Sequence, residues 1–266
     1  MSTATPTHRV ETIDTARPGV PLSRIVKVEL RKMFDTRSGF WLMASIAILA
    51  TLATIGVILW LPDENIAFGA FGAAVGVPIA ILIPIMAILS VTGEWSQRTG
   101  LITFTLVPHR SQIILGKAIA AVFVGVVSML VAFAIGAVGN IVGSALNGVD
   151  VRWDTTLGDF LLIILANVLG LLVGFMLGVL IRSTAAAIVA YFVYSFVLPG
   201  IFGALAAFQD WFKDIQLWID FGAAQAPLFE GMPTGEQWAQ IGVSGMIWLV
   251  IPMTIGIWAV LRSEVK

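Results

Sequence analysis

Six stretches of this chain, residues 40–61, 66–91, 113–143, 160–181, 185–208 and 241–261, are apolar over lengths that suit a bilayer crossing, since a spanning helix needs about 20 mainly apolar residues. The third is uninterrupted from Ala118 onward, and from there none of the six carries an ionised side chain. Transmembrane barrels offer weaker, alternating segments of about 10 residues. The expected fold is therefore all-α and integral to the membrane. Only 12% of the residues are charged, against about a quarter in a soluble domain whose surface faces water.

The distribution of charge orients the bundle. Arg9, Arg17, Arg24, Lys27, Arg31, Lys32 and Arg37 precede the first span. With six spans that end shares its side with Arg98, Arg110, Lys117, Arg182, Arg262 and Lys266, while the other side holds only Arg152 and Lys213 among many carboxylates. Lysine and arginine accumulate on the cytoplasmic face, so both termini are expected there. The first 38 residues lack the apolar core of a secretory signal, and the first span is expected to be a retained anchor.

Residues 1–20 have no apolar periodicity and read as a flexible cytoplasmic tail. Over 21–38, Leu22, Val26, Leu30 and Met33 share one helical face, flanked by Ile25 and Phe34, with Arg24, Lys27 and Arg31 opposite. That pattern fits an amphipathic helix in the membrane interface; the alternative is a solvated cytoplasmic helix packed on other protein. Residues 39–266 make up the six-helix transmembrane domain. Pro78 and Pro84 are expected to kink the second span. Gly170, Gly174 and Gly178 form a ridge four residues apart in the fourth span, a pattern that lets a second backbone approach, within the bundle or across a dimer seam. Between the last two spans, an excursion over 208–238 carries Phe208, Trp211, Phe212, Ile215, Trp218 and Ile219 at helical spacing. It reads as a short amphipathic helix at the outer surface or as an aromatic belt.

Much chemistry is missing. Without cysteine there are no disulfides, thiolate metal sites or cysteine nucleophiles. The sequence LGKA lacks the earlier glycine and the hydroxyl of a phosphate loop. His8 and His109 lie far apart, and neither HExxH nor GxSxG occurs. The span interiors offer only amides and hydroxyls such as Ser45, Thr51, Thr54 and Thr254, with Asn140 and Asn167 as candidates for a substrate path or for helix–helix hydrogen bonds. An intramembrane enzyme or a proton-driven carrier would call for an ionisable group at depth.

The segment EWSQRTGLITFTLVPHRSQIILGK, residues 94–117, contrasts with the spans on either side of it. Its apolar run LITFTLV is too short to cross, so 94–112 is expected to form a cytoplasmic loop. An apolar side bounded by charges suits docking on another protein. Glu94, then Arg98-Thr99-Gly100, the run Leu101–Val107 with Thr103 and Phe104, Pro108-His109-Arg110 and Lys117 together resemble the permease (transmembrane) subunit of type-2 ABC exporters. The resemblance extends over most of 22–262 and covers the basic helix, the six spans and the outer excursion. It implies that 94–112 is a coupling loop meeting a separate ABC ATPase subunit, which carries ATP and Mg, with no cofactor, metal or catalytic residue on this chain. It further implies a second permease chain, identical or different, in the inner (cytoplasmic) membrane of a bacterium; a path lined by Phe, Met, Leu and an occasional Asn points to a hydrophobic or amphipathic cargo such as a drug, antibiotic or lipid. No nucleic-acid partner is expected. The competing readings are a six-span secondary carrier or channel, and a non-transporting membrane immunity or assembly protein.

Overall fold

The computed structural model describes residues 20–96 and 110–262. Every regular element among them is helical. In chain order these are α1 (Leu22–Asp35), α2 (Arg37–Trp60), α3 (Phe68–Ser96), α4 (Arg110–Asn147), α5 (Leu157–Ile181), α6 (Thr184–Phe208), α7 (Asp210–Ile219), α8 (Phe221–Ala224) and α9 (Gly235–Arg262). Six of them, α2 to α6 and α9, are long and apolar enough to cross a membrane. At ~1.5 Å per residue, α4 is roughly 57 Å long and outreaches the ~30 Å hydrocarbon core.

The centre of the bundle is α3, α4 and α5, where Val75, Ile79, Ile83, Ala121, Met129, Leu171 and Phe175 are buried together. Lipid tails give no hydrophobic drive for helices to associate, so close backbone approach has to supply the packing. Gly174 provides it: a Cβ there would stand 2.6 Å from the Pro84 carbonyl oxygen and 2.9 Å from its Cα. Gly178 similarly faces Val91 and Ile88, and both residues seat α5 on α3. α2 and α6 lie at the periphery, with much of their apolar surface outward.

α1 folds back on the bundle through the single residue Thr36. Its hydroxyl caps α2 by accepting from the Gly39 amide at 3.2 Å, and Gly39 lies so close to the Met33 carbonyl that no Cβ would fit. At the opposite end Arg152 closes the loop between α4 and α5 over the start of α3. Its guanidinium donates to the carbonyls of Ile66 and Glu64, and its own carbonyl accepts from Phe68 N and Asn140 Nδ2, both at 3.0 Å.

After α6 the chain reverses. α7 packs along both α6 and the first part of α9. Trp248 Nε1, 13 residues into α9, donates to the carbonyl of Ile219 at 2.6 Å, and Phe221 lies against Gly245. At ~1.5 Å per residue, the C-terminal end of α7 therefore stands roughly 20 Å along α9 from the N-terminal end of that helix. Asp220, in a polar connection by sequence, is thus level with the middle of two spans.

Candidate functional site

Two polar constellations stand out along α3, one at its C-terminal end and one beside its middle. The first begins with Glu29, which interrupts the buried face of α1 between Ile25 and Met33. Gly116 allows α1 to lie close on α4, since a Cβ there would stand 2.6 Å from Ile25 Cγ2. Glu29 is thereby held against Lys117, and Glu94 reaches the same point from the end of α3. Lys117 Nζ lies 2.6 Å from Glu29 Oε2 and 3.1 Å from Glu94 Oε1, and donates to the Ser90 carbonyl at 3.1 Å. Its three protons are all used. Lys32 completes the knot from the solvent side, 2.8 Å from Glu29 Oε1 and 3.3 Å from Glu94 Oε1.

Glu29, Glu94 and Lys117 are 5%, 6% and 4% exposed. Isolated, each charge would be costly there; together they balance. Burial pushes the Glu29 carboxyl up, but Lys117 and Lys32 outweigh burial and hold it below its ordinary 4.5. Burial likewise favours neutral Lys32, and the two glutamates reverse this and hold it above 10.5. Glu94 Oε2 is buried with no donor among the described residues.

The second constellation is a cleft of about 390 Å³ bounded by α3, α5, α6, α8 and α9. Local sequence explains its shape. Pro84 has no amide proton for the Ala80 carbonyl four residues back, and the Tyr191 hydroxyl donates to that carbonyl instead, at 2.7 Å. Pro199 and Pro252 likewise cannot serve the carbonyls of Ser195 and Trp248, and their rings crowd them. Each is preceded by a π turn, Val193–Val197 and Met246–Val250, closed by Leu198 N to Val193 O and Ile251 N to Met246 O. The widened turns bring Tyr194 and Trp248 together on the cleft wall, ring centroids 5.7 Å apart.

Of the residues picked out by sequence, Glu94 and Lys117 meet in the knot, joined by Glu29 and Lys32, which the sequence reading did not select. A carboxylate four residues from Ile25 and from Met33, on the apolar face, was the signal that pointed to Glu29. Arg98, Thr99, Gly100, Leu101, Thr103, Phe104 and Pro108 lie outside the described residues, and Arg110 opens α4. Asn167 and Gly170 line the cleft. Asn140 does not; its amide is in the Arg152 closure. The hydroxyls of Ser45, Thr51 and Thr254 donate back to their own helices. Asp220, Tyr194 and Trp248 were not selected, although an aromatic four or five residues before an intraspan proline marks two of them.

The family described as ABC-2 family transporter protein matches residues 5–265. The chain belongs to that family. As an ABC-2 family protein it is a multi-pass membrane transporter component, and membership implies partnership with an ATPase subunit. No curated protein matches the chain. Among the described residues no group of three or more histidines and carboxylates could hold a metal ion.

Proposed function

We propose that this ABC-2 family protein is the permease subunit of an ATP-driven exporter, paired with a second permease chain in a bacterial inner membrane and moving a hydrophobic or amphipathic cargo. The end carrying α1 faces the cytoplasm, where Lys/Arg excess belongs, and α1 lies along the interface. The loop over 94–112 meets the ATPase subunit, with Glu94 and Lys117 at its two roots. The observation that carries this reading is the knot itself. It locks α1, the end of α3 and the start of α4 into one unit around the base of that loop, so a push on the loop moves the helices rather than bending their ends.

Deleting residues 99–107, or Arg98→Glu, should abolish co-purification of the ATPase and ATP-dependent flux in proteoliposomes. Persistence of both in the variants would end the coupling assignment. Asp220 favours one second reading, a carrier driven by protons, because it supplies an ionisable group level with mid-span. Flux in proteoliposomes that contain the permease alone, driven by a pH gradient, would select that reading.

A further inference from the structure

Asp220 is 5% exposed and faces no counter-ion among the described residues, where ion pairs are confined to the knot and to Arg31–Asp35. One oxygen caps α8 by accepting from the Ala223 amide at 3.1 Å; the residue lines the cleft. A carboxylate at such depth is expensive and marks function by default. Among the described residues it is the single ionisable acid or base on the cleft wall apart from the two tyrosines. Around it stand amides, Asn167 and Gln225, and the hydroxyl of Tyr194, which is buried with no hydrogen-bond partner among the described residues. The rest of the wall is aromatic and aliphatic, with Trp248, Tyr191 and Phe221 inside and Phe196 and Phe229, 58% and 56% exposed, at the mouth.

The pieces define one ligand chemistry. Aromatic faces attract cations, most strongly where water is excluded, and the one fixed charge on the wall among the described residues is negative. The volume lies within the ~300–1,000 Å³ of small-molecule pockets, and the exposed rings of Phe196 and Phe229 give its rim an apolar character. We propose that this cleft binds lipophilic organic cations, with Asp220 as counter-ion, Tyr194 as a hydrogen-bonding group and the Tyr194–Trp248 pair as the aromatic wall. Resting on the exporter reading, it narrows the cargo from hydrophobic molecules in general to those carrying positive charge on a bulky apolar body.

The test uses the purified full-length chain in nanodiscs and two probes of nearly the same shape and opposite charge, tetraphenylphosphonium and tetraphenylborate. Tetraphenylphosphonium should bind saturably, and Asp220→Asn should weaken it by roughly tenfold or more while leaving tetraphenylborate unchanged or tighter. Asparagine is as good a helix cap as aspartate, so the α8 cap survives. Asp220→Glu should restore part of the affinity. Gly170→Leu, where the backbone meets open space, should block the cation with Asp220 intact. Equal affinity of the wild type for the two probes, or undiminished cation binding in both Asp220→Asn and Gly170→Leu, would overturn the site. Cation binding that passes these tests while ATP-dependent flux is absent would leave the site standing and remove the exporter reading. Flux with undiminished binding in both variants would do the reverse.

Discussion

Lys117 touches two carboxylates and a carbonyl and is buried with them, so its removal is far more damaging than a surface charge loss. Lys117→Met should destabilise the protein by about 3–5 kcal/mol, the range for breaking one side of a buried pair, read as a lower thermal midpoint in detergent. Adding Glu29→Gln should recover part of that loss, because the second change removes one of the stranded charges; a double variant as damaged as the sum of the singles would refute the pairing. The pH dependence follows from the two shifted groups. Glu29 is held below 4.5, so its contribution is complete above that value and fades as acid protonates the native carboxylate. Lys32 is held above 10.5, so its contribution is complete below that value and fades as base removes the proton from the native ammonium. Between those limits the stability difference between wild type and Glu29→Gln should be flat, shrinking in acid below 4.5 and again in base above 10.5; a difference that changed steadily from pH 6 to pH 8 would contradict the assignment.

Helix by helix, close packing and proline placement decide geometry in ways that can be separated. Gly174→Ala sets a methyl group against the Pro84 carbonyl and should cost about 1–3 kcal/mol. Gly170→Ala, one turn earlier and facing open space, should instead gain up to about 1 kcal/mol of helix propensity. Opposite signs in thermal unfolding would distinguish a packing seam from a general intolerance of the ridge. Pro252→Ala lets the α ladder re-form through Trp248, so it should weaken tetraphenylphosphonium binding about tenfold, comparable to a misplaced methylene in a pocket. The number and type of spans were legible in the sequence because a run of some 20 apolar residues has few other uses. The orientation of α1 was legible only in part: helical spacing puts Glu29 on the apolar face between Ile25 and Met33, while its own polarity argues for solvent, and its burial depends on a lysine 88 residues away. The course of α7 was not legible at all, since hydropathy measures length and composition and is silent on whether an amphipathic helix lies flat or runs back along its neighbours. Asp220 was hidden for that reason.

Seen whole, the molecule places its two polar constellations at different levels of the same helix. α3 carries Glu94 in the knot and Val77, Ala80 and Pro84 in the cleft wall, and α5 is seated on it by two glycines. A rod braced in this way transmits displacement between the ends without requiring either constellation for the other's local chemistry. If the knot anchors the lever and the cleft holds the cargo, damage to each should produce a different failure. Glu29→Gln keeps the cleft intact and should bind tetraphenylphosphonium within about twofold of wild type, as expected for sites with no shared partners, yet lose stimulation of the companion ATPase by the cation. Asp220→Asn should retain the ATPase partner and its basal turnover while cation binding falls. Measured in nanodiscs with the ATPase present, this crossed pattern is specific: a binding lesion that also dissolved the complex, or a knot lesion that abolished binding, would mean that the two ends form a single stability unit rather than a coupled pair. The knot's position favours the crossed outcome, because Lys117 and Glu29 touch nothing that lines the cleft.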